Sequence, residues 1–559
     1  MNNTKSLQDE IEAARQEYVK RMRVSELSLK EFLSYTETGN RLTYEEQYFA
    51  RRRELAVLSL SLLQDTDEQT ENLLEQTLWE ICNEYTWALP AHLPLIENRY
   101  GTASPVWLDL FAAETGQALI ETIELIGQKL SPFLKERIFQ EVERRILLPF
   151  ESRPWDWEEK ENNWSAVIGG CIGMIALSML SMGSQRQRTI IQRLDKSMQS
   201  YLRGFGADGA CVEGVSYWGY GFGYFIYYAK MLEDKLSDSR YLANKKVKNI
   251  AAFPYSVMIN EKGYVPFSDY AQPDLPSGLL SFCHEYFQVS IPKIEAASSL
   301  EFDACYRFAQ LYRNLSWTKP MNKQVAKPEG KKYFEDAQWL ILRSEKEDFE
   351  FAAKGGRNDE SHNHLDIGHF IVGNGKELFL TDLGAGEYTK DYFNEKMRYD
   401  FFVPSALSHS LPIINGYSQL PGKVGAESVC CHQEGAEFHF QLSLGSIYPT
   451  EAFVKTFIRH FRVDPKKRKV KITDQFTFLK EKNKIVETFI SKIKPELENK
   501  RIKLIGEKKC ELSVDAGTVT SVEKSYPNHE GKIEKAYLIQ NEVQAKQQIE
   551  CLTMIQLTE

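Results

Sequence analysis

The spacing of apolar residues changes once along this chain of 559 residues, and the change restricts the possible folds more than any other feature. Up to about residue 320, apolar residues recur every three or four positions, as they do in residues 55–63, 120–126 and 138–147. This spacing is typical of amphipathic helices. Residues 167–177 are apolar on nearly every side and contain three glycines, which predicts an inner helix that packs closely against its neighbours.

A segment rich in Pro and Lys, residues 317–332, separates this region from one with a different pattern. Beyond it, short runs of strand-forming residues alternate with Gly, Asn and Asp turns, in residues 337–343, 349–353, 369–373 and 438–444. The basic run 465–470 lies between two such runs, and we interpret it as the turn of a hairpin.

These patterns predict an α+β multidomain protein, with an N-terminal helical (α/α) toroid in residues 1–320 and a C-terminal antiparallel β-sandwich in residues 321–559. A helical solenoid is the alternative for the first domain, but the sequence has no repeat of fixed period.

The composition excludes some classes of partner. The net charge is −9, which provides no general attraction to nucleic acid or to an anionic membrane. Residues 1–10 lack a basic segment followed by an apolar core, and no apolar run has membrane-spanning length. The nine Cys are scattered and form no CxxC pair, as expected for reduced thiols. We therefore expect a cytoplasmic protein with no membrane or nucleic-acid partner.

The segment 361–366 carries the strongest indication of a functional site. It places His362, His364 and Asp366 at alternate positions, and in an extended strand such residues share one face. Four of the ten His fall between positions 362 and 409. One imidazole of such a face can hold a metal while the other transfers protons.

Two further segments each supply a possible metal ligand. Asp382 follows a strand-like run at 377–380, and His409 precedes another at 411–414. Together with His364 they form a set of two imidazoles and one carboxylate, which is common for divalent metals and most often holds zinc.

The helical half contains two notable segments. Residues 161–164 open the predicted inner helix, and residues 208–221 form a passage rich in Gly and aromatic residues that leads into another helix. For Tyr217 taken alone, packing in the core is a better interpretation than catalysis.

These segments together resemble the heparinase II/III-like polysaccharide lyases. The resemblance rests on four blocks that occur in order, with a weaker fifth block at residues 81–92; the four are residues 162–164, 213–221, 362–368 and 408–416. It implies the toroid-and-sandwich fold and a β-elimination reaction at a uronic acid.

The resemblance also implies roles for particular residues. Asn163 would offset the charge of the substrate carboxylate, Tyr217 would serve as the acid and also as the base for one C5 epimer, and His362 would be the other base. His364, Asp382 and His409 match the family's metal positions, which predicts a mainly structural Zn²⁺. The predicted substrate-binding residues are Trp164, Glu213, Trp218, Arg357, Tyr388 and Arg398.

The expected substrate is a uronate-containing oligosaccharide, such as a glycosaminoglycan fragment. Two other classes stay open at this point. A metal-dependent hydrolase would use the His/Asp/His set to activate water. A non-catalytic carbohydrate-binding protein would use an aromatic groove around Trp218 and Tyr220. The sequence does not define the oligomeric state.

Overall fold

The computed structural model describes residues 4–260, 263–271, 274–319, 327–389, 391–394 and 396–558. The chain forms two compact units. The first consists of Met1–Phe205, Ser216–Ala252 and Pro273–Val325, and the second of Gly206–Val215, Phe253–Gln272 and Ala326–Glu559. The domain boundary predicted between residues 320 and 321 lies outside the described residues. The second unit also includes two segments from the first 320 residues.

Helices dominate the first unit. In chain order, the helices of the described residues are α1 Lys5–Arg21, α2 Leu29–Thr38, α3 Leu42–Ser61, α4 Glu68–Cys82, α5 Leu110–Ile126, α6 Pro132–Val142, α7 Leu148–Ser152, α8 Asn163–Met179, α9 Gln185–Arg203, α10 Val215–Tyr217, α11 Gly223–Leu236, α12 Lys245–Ala251, α13 Phe253–Ser256, α14 Ser277–Phe287 and α15 Phe308–Trp317. Of these, α13 belongs to the second unit.

Helix α8 is the inner helix that the sequence predicts. It packs against α5, α9 and α11, and its residues from Ser165 to Leu177 are buried. Its glycines allow this close contact. A Cβ atom at Gly173 would lie 2.2 Å from the Tyr228 ring, and one at Gly170 would lie 2.8 Å from the Tyr224 carbonyl oxygen. Only glycine fits at these two positions without movement of a neighbour.

Antiparallel strands form most of the second unit. In chain order, the strands of the described residues are β1 Leu95–Ile96, β2 Arg99–Tyr100, β3 Met258–Ile259, β4 Gly263–Tyr264, β5 Gly330–Phe334, β6 Trp339–Ser344, β7 Phe349–Lys354, β8 Phe370–Gly373, β9 Leu378–Leu380, β10 Pro412–Ile414, β11 Glu427–Glu434, β12 Glu437–Ser443, β13 Val454–Asp464, β14 Lys469–Phe478, β15 Asn483–Ser491, β16 Pro495–Glu498, β17 Arg501–Ile505, β18 Lys509–Val514, β19 Thr518–Pro527, β20 Ile533–Ala545 and β21 Gln548–Thr558. The pair β1–β2 lies in the first unit.

Besides the short pair β3–β4, three larger sheets organise the described part of the second unit. A five-stranded sheet has the order β5-β6-β7-β8-β9, and an eight-stranded sheet has the order β11-β12-β13-β14-β21-β18-β17-β16. A four-stranded sheet has the order β10-β15-β20-β19. Phe351 and Phe370 of the first sheet meet Phe461 of the second, with ring centroids 5.6 and 5.4 Å apart. Apolar side chains from all three sheets form one buried core, as in a β-sandwich.

The structure confirms the predicted fold class of a helical region followed by an antiparallel β-rich region. The basic run at 465–470 lies at the turn between β13 and β14, as predicted. All nine cysteines lie within the described residues and are free thiols. No helix in the described part of the chain combines the length and apolar character needed to cross a membrane.

One prediction about local structure is wrong. The segment 361–366 is not a strand but part of the loop between β7 and β8. Three of the residues in this loop have left-handed backbones, with φ of +85° at Gly356, +56° at His362 and +89° at Gly368. A strand cannot contain such conformations, so the alternation of His362 and His364 does not place them on one face of a sheet.

Candidate active site and metal-binding residues

The loop between β7 and β8 carries His362 and His364, and an ion pair and a backbone hydrogen bond hold it in place. Lys354, at the end of β7, forms an ion pair of 2.8 Å with Asp366, and both side chains are fully buried. The Leu365 backbone N–H donates to the Pro404 carbonyl oxygen at 2.9 Å. A buried ion pair tolerates little displacement because either charge alone would be unpaired in the interior. The loop therefore presents its imidazoles in fixed positions.

His362 pairs with a buried carboxylate. Its Nδ1 atom lies 3.0 Å from Asp269 Oδ2, and its side chain is 16% exposed. A carboxylate accepts hydrogen bonds, so Nδ1 carries the proton and Nε2 carries the lone pair of the neutral ring. Its φ of +56° is unusual for a residue other than glycine. Backbones of this kind are concentrated at functional sites.

Asp269 is the centre of the hydrogen-bond network. Besides His362, the carboxylate accepts from His364 Nε2 at 3.0 Å, the Tyr392 hydroxyl at 2.7 Å and Arg398 Nη2 at 3.0 Å. Burial disfavours its charged form, but the Arg398 guanidinium and the two imidazoles outweigh this effect and hold the pKa of Asp269 well below its usual range. Asp269 is therefore an anion that orients two histidines.

The three predicted metal ligands meet in the second unit. One ligand atom from each of His364, Asp382 and His409 lies within 4.8 Å of the others, and all three side chains are buried. His364 Nδ1 is 3.3 Å from His409 Nε2, which in turn is 3.4 Å from Asp382 Oδ2. Two nitrogens bound to one tetrahedral zinc at about 2.0–2.1 Å would be separated by a similar distance.

In each of these three side chains, the polar atom that is not part of the group already has a hydrogen-bond partner. His364 Nε2 donates to Asp269, His409 Nδ1 donates to the Ser405 carbonyl oxygen at 2.9 Å, and Asp382 Oδ1 accepts from a backbone N–H at 2.9 Å. Such partners fix the tautomer and the direction of metal ligands. The atoms that remain, His364 Nδ1, His409 Nε2 and Asp382 Oδ2, converge. These residues fit a divalent transition metal.

His369 lies beside this group but is oriented differently. Its Nδ1 accepts the Ser410 backbone N–H at 2.8 Å, so its proton is on Nε2, 3.4 Å from Asp382 Oδ2. Burial lowers the pKa of His369 well below its ordinary value, which keeps the ring neutral. A nitrogen that carries a proton cannot bind a metal, so His369 supports Asp382 instead.

Asn163 occupies the first turn of α8 in the first unit. The preceding residue, Asn162, caps the helix by accepting the Trp164 backbone N–H at 3.1 Å. Asn163 is 3% exposed, and its Oδ1 atom is buried without a hydrogen-bond partner among the described residues. The two ends of an amide exchange when it rotates by half a turn, so the same position can present its NH₂ group.

Tyr217 is half-buried at the end of α10, immediately before a π-helical turn at Trp218–Phe222. This turn packs on the start of α8. A Cβ atom at Gly221 would lie 3.0 Å from Asn163 Cβ. The first unit therefore brings Asn163 and the segment that carries Tyr217 together. Single π-turns within helices are frequent at functional sites.

Among the predicted substrate-binding residues, Trp218 is a correction. Its side chain is fully buried, and its indole N–H donates to the Ile250 carbonyl oxygen at 2.8 Å, so it belongs to the core. The Tyr220 hydroxyl donates to Glu114, with Arg307 above the ring, so this side chain too is engaged by other residues of the protein.

The other predicted substrate-binding residues differ in exposure. Glu213 is 7% exposed, whereas Trp164 is half-buried beneath Lys160 Nζ, which lies 4.6 Å from the ring centroid. Arg357 is exposed and forms a two-pronged pair with Asp359 at 2.8 Å. Tyr388 packs against the Phe393 ring with centroids 4.7 Å apart.

Arg398 has a structural role instead of the predicted substrate contact. It is 8% exposed, and its guanidinium donates to Asp269 and to the Asn363 carbonyl oxygen at 2.9 Å. These bonds hold the buried carboxylate beneath His362.

Sequence reasoning missed Asp269 and Tyr392. Asp269 is separated from His362 by 93 residues and lies in a part of the chain predicted to be helical. It follows Ser268, whose backbone is left-handed with φ of +65°. Neither residue has a sequence signal of its own, because an isolated Asp or Tyr has many ordinary roles.

Comparison with known proteins identifies the fold. No protein-family model and no curated protein sequence matches the chain. Solved structures do match. A crystal structure of heparinase III has a TM-score of 0.67 and 12% identity, over 99% of this chain and 92% of that chain. A mutant of heparan sulfate lyase HepC from Pedobacter heparinus has a TM-score of 0.63 and 13% identity, over 99% and 89%.

A more distant match is also a lyase. Chondroitin AC lyase from Streptomyces coelicolor A3, in complex with chondroitin sulphate, has a TM-score of 0.53 and 10% identity, over 98% of this chain and 83% of that chain. The resemblance found in the sequence blocks is thus confirmed at the level of the fold. The chain has the fold of the heparinase III polysaccharide lyases.

Proposed function

We propose that this protein is a lyase that cleaves uronate-containing glycans of the glycosaminoglycan type by β-elimination. In this reaction a base removes the proton from C5 of the uronic acid, and an acid protonates O4 as the C4–O4 bond breaks. The electron pair of the C5–H bond becomes the new C4=C5 double bond. One product has a 4,5-unsaturated uronate end, and the other gains a hydroxyl group.

The observation that carries the proposal is the pair formed by His362 and Asp269. Asp269 fixes the proton of His362 on Nδ1, which makes Nε2 the atom that accepts the C5 proton. The ionised carboxylate then stabilises the imidazolium that forms. Tyr217 donates to O4 and also serves as the base for the other C5 epimer.

Asn163 supports the reaction by compensating charge. Removal of the C5 proton places a second negative charge on the carboxylate group, and an amide donor stabilises it. The buried end of the Asn163 side chain lacks a partner among the described residues, as expected of a group that binds substrate.

We also propose that His364, Asp382 and His409 hold Zn²⁺ as a structural ion. When bound, the ion would fix the two segments that follow β9 and precede β10 to the loop that bears His362. Full burial of both imidazoles argues against the hydrolase alternative, because a catalytic metal needs a position that substrate and water can reach.

The test is incubation with hyaluronan, chondroitin, heparan and alginate oligosaccharides, followed by the ultraviolet absorbance of the unsaturated uronate. At least one substrate should produce a steady increase in absorbance. His362→Ala should lower turnover of that substrate by about 100-fold or more, and so should Tyr217→Phe, because each removes a proton-transfer group.

The control is Tyr417→Phe, which removes the hydroxyl of a tyrosine that is 42% exposed. We expect it to keep wild-type turnover. No increase in absorbance with any substrate would contradict the proposed activity. Wild-type turnover in either His362→Ala or Tyr217→Phe would contradict the assigned roles. Tight binding without a product would instead support the carbohydrate-binding alternative.

A further inference from the structure

A second group of histidines lies on the eight-stranded sheet. His432 of β11 pairs directly with His439 of β12, and the two rings stack with centroids 4.7 Å apart. His460 of β13 lies beyond them, with its Nε2 atom 3.1 Å from His439 Nδ1. None of these residues has a part in the proposed reaction, although they are three of the ten His in the chain.

Carboxylates complete the group. One ligand atom each from His432, Glu434 and His439 lies within 4.8 Å of the others. The His439 side chain is 9% exposed, and its Nε2 atom is buried without a hydrogen-bond partner in the described part of the chain. That atom lies 3.9 Å from Glu434 Oε2 and 3.9 Å from Glu437 Oε2. This distance is too long for a hydrogen bond, and it exceeds by only about half an ångström the separation of two ligand atoms on one tetrahedral zinc with bonds of about 2.0 Å, so a small side-chain rotation would bring the atoms around an ion.

We propose that His432, Glu434 and His439 form a second site for a divalent transition metal of the zinc type, independent of the buried site. Imidazole and carboxylate donors suit zinc more than they suit magnesium or calcium, which prefer oxygen ligands alone. Cys430 lies beside the site, with its Sγ atom 3.5 Å from His432 Nδ1.

His460 orients the central ligand. With a metal bound, His439 Nδ1 would donate to His460 Nε2, 3.1 Å away, and the lone pair of His439 would be on Nε2, the atom that faces the carboxylates. His460 can accept this bond through the lone pair of its own Nε2 atom. The positive charges of Arg462 and Lys471 lie near His460. The negative charges of Glu434 and Glu437 lie near His439 and would compensate for them at the proposed metal site.

The location indicates what the ion would do. β11 is the outermost strand of its sheet, and its side chains are mostly exposed. Such a strand is held by hydrogen bonds on one side only and separates readily. A metal held by residues of both β11 and β12 would fasten this edge to the sheet.

The experiment uses the full chain, stripped of metal with a chelator and titrated with Zn²⁺ against a chromophoric zinc indicator. We expect the wild type to bind one equivalent more than the double variant His432→Ala/His439→Ala. His460→Ala should keep that equivalent but bind it roughly tenfold more weakly, because only the orienting partner is lost.

Gln433→Ala is the matched control, since Gln433 lies between His432 and Glu434 on the opposite face of β11. It should bind as the wild type does. The single variant His432→Ala, which changes an exposed residue, serves if the double variant fails to fold. Equal numbers of zinc equivalents in the wild type and in the His432 variants would overturn the proposal.

Discussion

Asp269 links two imidazoles that have different proposed tasks. Its Oδ2 atom accepts from His362, the proposed base, and its Oδ1 atom accepts from His364, a proposed zinc ligand. His362 bonds to Asp269 through Nδ1, and His364 bonds to it through Nε2. The nitrogen that remains available for another task is therefore Nε2 in His362 and Nδ1 in His364. A loop with a left-handed residue achieves this arrangement, and a regular strand would not.

The first prediction at this scale concerns that carboxylate. Asp269→Asn should lower kcat by about 100-fold or more, because an amide no longer fixes the His362 tautomer or stabilises its cation. The change also leaves the buried Arg398 guanidinium unpaired, which should lower the free energy of unfolding by about 3–5 kcal/mol. Turnover kinetics and thermal unfolding measure the two effects separately.

Tyr392→Phe is the control for this variant. It removes one hydrogen bond to Asp269 but keeps the negative charge and the bond from His362. The loss in kcat should stay below about tenfold, since one hydrogen bond contributes about 0.5–1.5 kcal/mol. A folded Asp269→Asn protein with wild-type kcat and pH profile would contradict the assigned role of the carboxylate.

At the scale of residues, the sequence predicts one part of the site better than the other. His364, Asp382 and His409 follow from residue type and spacing, and the structure brings them together. Asp269 does not, because it reaches His362 only through tertiary folding across 93 residues. Trp218 is among the residues predicted to bind substrate, yet aromatic side chains more often fill cores, as this one does.

Among the elements, α8 shows most directly how sequence determines packing. An all-round apolar pattern with glycines predicted an inner helix, and α8 has buried residues along almost its whole length. The glycines at 170 and 173 allow α11 to approach closely. The start of α8, where Asn163 lies, is thereby held against the segment that follows Tyr217.

We predict that Gly173→Ala destabilises the first unit. The new methyl group would lie 2.2 Å from the buried Tyr228 ring, so either this ring or one of the two helices must shift. Overpacking of this kind lowers the free energy of unfolding by about 1–3 kcal/mol. Chemical denaturation of the purified variant measures it.

Gly101→Ala provides the comparison, because its methyl group would meet no atom closer than 3.6 Å. Its unfolding free energy should differ from the wild type by about 0.5 kcal/mol or less. If Gly173→Ala were as stable as Gly101→Ala, the close contact between α8 and α11 would not be a source of stability.

The spacing of apolar residues along the sequence predicted helices and strands well where their side chains pack in a regular repeat. The strands near 339, 349, 370 and 437 and the β13–β14 hairpin follow the sequence pattern. The segment 361–366 places His362, His364 and Asp366 at alternate positions, as a strand would use them, but it forms a loop. Its shape depends on the Lys354–Asp366 ion pair and on Asp269, which the local pattern does not contain.

At the scale of the whole molecule, the likeness to lyases persists at 12–13% identity over 99% of the chain. Patterns of apolar residues and glycines are enough to conserve such a fold while most residues differ. The fold alone does not define the substrate, since each fold carries many sites.

Removal of the buried metal should destabilise the protein as a whole. In the His432→Ala/His439→Ala background, prolonged chelation should release one zinc equivalent and lower the melting temperature by at least about 5 °C. Zn²⁺ should restore it, and Mg²⁺ should not, because two of the three ligands are imidazoles. Chelation that releases no zinc and leaves the melting temperature unchanged would contradict a structural zinc site.

The masses of the products test the central claim most directly. A defined uronate-containing tetrasaccharide is incubated with the wild-type protein and with His362→Ala, and the products are weighed by mass spectrometry. Elimination predicts product masses that add up to the mass of the substrate, with one unsaturated end, and very little product from His362→Ala. Product masses that exceed the substrate by one water would show hydrolysis and contradict the account.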